Sequence, residues 1–122
     1  MKLFFAKYRF LFLLLLIFFL AEWIVHPRGN FPLNDDWSYA KSVLIFLEKG
    51  RIDIGSWPAM TLATHILWGS LFVKLFGFSF FVLRCSTLVS ALVGLSFFYF
   101  LILRISKKGV VAFIAGLTLL LN

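Results

Sequence analysis

Four long stretches of the chain are free of formal charge, and segments carrying charged residues separate them. Residues 10–21 are wholly apolar, and the run reaches Val25 across a single acid, Glu22. Residues 57–73, 85–103 and 110–121 are the other three. A helix needs about 20 residues to cross a hydrocarbon core of roughly 30 Å. Residues 8–25, with Arg9 and Glu22 snorkelling towards the interfaces, meet that length and predict span 1. Residues 85–104 predict span 2, with small residues Ser86, Ser90, Ala91, Gly94 and Ser96 suited to close helix packing. Residues 110–122 begin a third span, but 110–121 cover only about 18 Å as a helix. The chain therefore reads as a fragment that stops inside span 3.

The polar segments are equally patterned. His26-Pro27-Arg28-Gly29-Asn30-Phe31-Pro32 is a loop, broken by two prolines and a glycine. Asn34 or Asp35 can cap a following helix over about 35–49. There, apolar residues recur at Trp37, Ala40, Leu44 and Leu47, while Ser38, Lys41, Ser42 and Glu48 fall largely elsewhere. Such spacing predicts a helix lying in the interface with one apolar face down. Gly50 follows Lys49 as a natural terminator. Residues 51–56 form a short polar connection.

The uncharged stretch 57–73 is decided by the distribution of charge. If it crossed the bilayer, Arg104, Lys107 and Lys108 would lie opposite Lys2, Lys7 and Arg9. If it does not cross, both basic clusters fall on the cytoplasmic side, as the positive-inside rule favours. Residues 57–76 are therefore expected to be a juxtamembrane or re-entrant helix, with Thr61, Thr64, His65 and Gly69 along a small polar stripe. The fold class is all-α integral membrane: two transmembrane helices joined by an extracytoplasmic loop, 26–84, that carries two juxtamembrane helices. A cleaved signal peptide is the rival reading of the N-terminus. The long apolar core, with no small-x-small site after Ala21, favours a retained anchor.

Composition agrees with this class. Of 122 residues, 62% are apolar and 14% charged, too little charge to cover a soluble domain of this size. A net charge of +7 raises the question of a nucleic-acid partner. The basic residues bracket apolar runs and form no stripe, so a bilayer is the expected partner and nucleic acid is not. Cys85 stands alone, with neither a disulfide partner nor metal-ligand spacing.

Candidate chemistry is concentrated in the five acids, of which Asp35 and Asp36 are adjacent. A charged pair so near a bilayer is costly unless solvated or used. Its structural role would be a helix cap with first-turn charge on the dipole. Its chemical role would be that of a general base. Arg28, Arg51 and Lys74 are candidates to hold a phosphate, or else snorkel beside anionic headgroups. His65 is either a packed histidine or a site residue, and Trp37 and Trp57 fit an aromatic belt or a sugar-stacking surface. No ligand set for a metal is visible, so the cofactor is left undefined.

Several short motifs occur together in a fixed order: Asp35-Asp36-Trp37-Ser38-Tyr39-Ala40, then Trp57-Pro58, then Phe72-Val73-Lys74-Leu75-Phe76-Gly77, then Arg84 through Gly94. In order and spacing the chain resembles the N-terminus of GT-C glycosyltransferases, closest to the bacterial family 39-like branch related to protein mannosyltransferases and the aminoarabinose transferase of lipid A. The resemblance implies a polytopic enzyme of the bacterial inner membrane with a cytoplasmic N-terminus. It also implies a polyprenyl-phosphate-linked sugar donor and an acceptor hydroxyl on a lipid-linked glycan, lipid or protein. It places Asp35 beside the reaction centre and Asp36 at a position usually held by Glu. Where many relatives have Glu-Lys before the proline helix, this chain has Ser56-Trp57-Pro58. From another class, the alternative is a small non-catalytic membrane protein or packing subunit with Asp35 and Asp36 as caps.

Overall fold

The computed structural model describes residues 2–25, 29–33, 35–54 and 63–121, the side chains of residues 2–7 excepted. Among these are five α-helices and no strand: α1 (Lys2–Val25), α2 (Asp36–Lys49), α3 (Ala63–Phe76), α4 (Phe80–Ser106) and α5 (Gly109–Leu121). Two of them, α1 from Tyr8 onward and α4, are long and apolar enough to cross a membrane. The chain divides into two compact units, one of Met1–His26 with Val89–Asn122 and one of Pro27–Leu88.

In the first unit α1 packs along α5. Leu11, Leu14 and Phe18 of α1 are buried there, as are Leu95 and Tyr99 of α4 and Ala112 of α5. The face that α5 presents is built of small residues. Phe10 lies against Gly109, and Leu14 lies against Gly116 so closely that a Cβ there would collide with it. Small residues let two backbones approach where no hydrophobic drive distinguishes a helix from lipid. The helix α1 is interrupted at Tyr8, whose φ of −111° and ψ of 18° are not helical. The interruption falls where the basic N-terminal segment gives way to the apolar window Tyr8–Val25.

In the second unit α2 packs against α3. Ala40, Val43, Ile66, Val73 and Leu83 form the core, flanked by Tyr39, Phe46, Leu47, Ile54, Phe80 and Val82. The buried face of α2 is Ser38, Ala40, Ser42 and Val43. It is rotated from the Trp37–Ala40–Leu44–Leu47 face expected from apolar spacing, and Trp37 is 44% exposed. The reason is that α2 meets another helix closely, which small residues permit. Ser42 Oγ donates to the Ser38 carbonyl of its own helix at 3.2 Å, so its burial does not leave that hydroxyl unpaired. The outward residues differ between the two helices: Lys41, Glu48 and Lys49 on α2, and Leu67, Leu71 and Leu75 on α3. The helix suited to an apolar surround is therefore α3. Its described length corresponds to about 21 Å, short of a hydrocarbon core of roughly 30 Å.

Helix ends follow local chemistry. α2 stops at Gly50, whose φ of 65° is left-handed and whose N–H reaches the Phe46 carbonyl at 2.9 Å. The start of α4 is held twice: Ser79 Oγ accepts from the Val82 N–H at 3.0 Å, and Asn30 Oδ1 from the Phe80 N–H at 2.9 Å. With these caps the helix begins at Phe80, a turn before the apolar run read as span 2. Arg84 thus lies within the helix rather than ahead of it. Residues Arg28, Asn34, Trp57, Pro58 and Thr61, and the expected helix start at 57–62, lie outside the described residues.

Candidate functional site

The acid pair opens α2, and its two members have different surroundings. Asp35 occupies the N-cap position, exposed, with its carbonyl accepting from the Ser38 N–H at 3.0 Å. Its backbone is already helical, φ −81° and ψ −1°, and its side chain makes no capping hydrogen bond. The cap expected of Asp35 is therefore absent as a side-chain bond. A helical φ/ψ turns the carboxylate away from the N–H groups it would need to reach.

Asp36 is instead held. Arg84 Nε and Nη2 both donate to Asp36 Oδ2, at 3.1 and 2.9 Å. The same oxygen accepts a long bond from the Leu33 N–H at 3.4 Å, and the Asp36 N–H returns one to the Leu33 carbonyl at 3.1 Å. Arg84 also donates through Nη1 to the Gly29 carbonyl at 3.0 Å and through Nη2 to the Phe31 carbonyl. Its guanidinium lies 5.7 Å from the Phe31 ring centroid. One side chain, 12% exposed, therefore fastens loop 29–33, the start of α2 and the start of α4. The planar fork spreads the arginine's N–H donors over three nitrogens, so they reach acceptors on separate segments. The three N–H groups of a lysine, all on one nitrogen, would not span them.

Tyr39, one turn into α2, joins the other helices. Its hydroxyl donates to the His65 carbonyl of α3 at 2.6 Å, and it is hydrogen-bonded to Ser86 of α4. Burial pushes the phenol above its usual value, and the bond with Ser86 pulls it part of the way back. The His65 ring stands edge-on to the Tyr39 ring at 5.7 Å. Trp68 Nε1 adds a bond from α3 to the Ser86 carbonyl at 2.8 Å. Between these links lies a cavity of about 30 Å³, lined by Asp36, Tyr39, Phe80, Leu83, Arg84 and Thr87, about the space of one water.

The close approach of α2 and α3 depends on Gly69. A Cβ at that position would collide with the Tyr39 hydroxyl and come within 3.1 Å of Leu83 Cδ2. Gly69→Ala is expected to cost about 1–3 kcal/mol by overpacking. Tyr39→Phe, which deletes the colliding atom, should recover part of that loss, so thermal melting of the double variant in detergent should show less than the sum of the singles. An additive result would mean that Gly69 is not the contact that sets the helix spacing.

The other singled-out residues are dispersed. Arg51 pairs with Asp53 two residues on, at 3.3 Å, with both side chains well exposed, an arrangement that adds little stability. Lys74 is exposed in the last turn of α3, and His65 is half-buried beneath Tyr39. Among the described residues, Asp36, Tyr39 and Arg84 line one small cavity, and His65 stands against Tyr39. Arg84 was legible in the sequence as the charge at the edge of an apolar run, but nothing local showed its partner. Among the described residues, no group of three His, Cys, Asp or Glu side chains is placed to hold a metal ion.

The fold and site define an all-α protein with two helices apolar enough to cross a membrane and an arginine–aspartate clasp at the base of a shorter helix pair. No family model, curated protein or solved structure matches the chain.

Proposed function

We propose that the chain is part of a GT-C-type membrane glycosyltransferase that moves a sugar from a polyprenyl-phosphate donor to an acceptor hydroxyl. The observation that supports this most is the exposed position of Asp35 at the start of α2. Asp36 is engaged by Arg84, while Asp35, its neighbour at the helix start, is exposed and is not used as a cap. In this reading Asp35 takes the proton of the acceptor hydroxyl as that oxygen attacks the anomeric carbon. The bond from that carbon to the donor phosphate breaks, and the polyprenyl phosphate leaves as an anion that needs no protein acid. Asp36 and Arg84 are positioning residues that hold the start of α2. Arg28, Arg51 and Lys74 are the cations available to a donor phosphate. Trp37 and Trp57 are the aromatic surfaces available to a sugar.

The reading is tested by sugar transfer in membranes from cells that carry Asp35→Asn at the chromosomal locus. The non-catalytic reading draws its support from the clasp itself, because Asp36 bonded to Arg84 and Leu33 is serving the fold. Wild-type transfer by the Asp35→Asn cells would select it.

The same proposal places the protein in the inner membrane of a bacterium, with the N-terminus and the turn at 104–109 in the cytoplasm and residues 26–84 outside. Its support is the bracketing of the apolar runs by Lys2, Lys7, Arg9, Arg104, Lys107 and Lys108. In a Cys85→Ser background, Ile52→Cys should react with an impermeant maleimide on intact spheroplasts, and Lys107→Cys only after lysis. Labelling of both from outside would overturn this topology.

A further inference from the structure

The first unit contains a cavity of about 420 Å³ among α1, α4 and α5. Its walls include Phe18 and Glu22 of α1, Ala91, Gly94 and Leu95 of α4, and the last turn of α5. That volume falls within the range of small-ligand sites, about 300–1,000 Å³. The floor is open at Gly94, where a Cβ would meet nothing within 4 Å. Every wall residue but one is apolar or small.

The exception is Glu22. It is half-buried, and among the described residues it has no hydrogen-bond or ion-pair partner. It also stands in the last turn of α1, where the helix dipole is negative and no basic residue offsets it. A carboxylate in that place repels anions and gains from a cation beside it. The surrounding wall gains only from apolar groups. These two demands, met in one ligand, define its class.

We propose that this cavity is a binding site for a hydrophobic organic cation, an alkyl- or aryl-substituted ammonium or phosphonium. Its charge lies beside the Glu22 carboxylate, and its substituents lie against Phe18, Leu95 and the leucines of α5. A free cation suits the site better than an aminophospholipid. The lipid carries a phosphate next to its ammonium, and Glu22 would repel it. The proposal uses no residue of the acid pair of α2 and does not depend on the proposed transferase activity.

Equilibrium dialysis of radiolabelled tetraphenylphosphonium against the 122-residue chain in a non-ionic maltoside detergent tests the proposal. Saturable binding is expected, with Glu22→Gln weakening it by about tenfold or more, as for loss of a charge attraction at a half-buried site. Gly94→Leu fills the open floor while keeping Glu22, and should abolish binding with helical content and melting unchanged. Neutral triphenylphosphine oxide should not displace the probe, and neither should phosphatidylethanolamine added to the micelles. Absence of saturable binding, or wild-type binding by either variant, overturns the proposal. Displacement by the neutral compound would leave only an apolar cavity, and displacement by the lipid would make it a headgroup site, so either result overturns it as well.

Discussion

Asp35→Asn should slow sugar transfer by about 10²–10⁴-fold, the contribution expected of a positioned general base. The substitution suits the question because the amide keeps the shape of the carboxylate and loses its basicity. Stability should barely change. Replacing an N-cap aspartate by alanine typically costs about 1 kcal/mol, and Asn is an equally good cap. Here even that is not at stake, since the Asp35 side chain makes no capping bond. Membranes should therefore hold normal amounts of folded protein and transfer little sugar. Asp36→Asn should show the opposite balance, a lower melting temperature with a smaller loss of rate, because its carboxylate is bound by Arg84. Equal loss of rate in both variants, with equal loss of folded protein, would assign the acid pair to the fold alone.

Arg84→Met should destabilise the chain by about 2 kcal/mol. Removing one partner of a fully buried ion pair costs about 3–5 kcal/mol, because the other charge is left uncompensated. Asp36 is 38% exposed and can recover water, which lowers the figure. The loss still exceeds that of an exposed pair, because the Gly29 and Phe31 carbonyls lose their donor as well. Methionine keeps most of the apolar stem, so the effect reports the guanidinium rather than packing. Arg84→Lys should be nearly as harmful, since a single ammonium cannot reach three acceptors in a planar fork. Thermal melting in detergent is the measurement, with proteolysis within loop 29–33 as a local readout. A lysine variant as stable as the parent would mean that charge, and not the fork, holds the loop.

Much of the architecture is legible in one dimension because it rests on interactions between near neighbours. The apolar runs that become α1 and α4 are continuous in the sequence, so their length alone shows that they can cross a bilayer. The end of α2 at Gly50 is equally local, a left-handed residue after a lysine. The buried face of α2 was not legible. Periodicity assigns apolar residues inward, whereas a close helix contact selects Ser38, Ala40 and Ser42 for their size. That contact exists only once Gly69 of α3 lies beside Tyr39, and no pattern within either helix specifies the pairing.

The candidate site divides in the same way. The chain alone determined that two of its five acids are adjacent, and that they stand at the start of a helix just beyond an apolar run. It also determined that the basic residues flank the apolar runs, since charge and hydropathy are properties of a residue whatever it touches. Only the tertiary structure decided which of the two acids meets Arg84. Arg84 reaches Asp36 across a sequence separation of 48 residues. It also decided that Glu22 lines a cavity with Gly94 and the end of α5. Hydrogen bonds and ion pairs act over about 3 Å, so partners distant in sequence are chosen by the packing of whole helices, which no local pattern records.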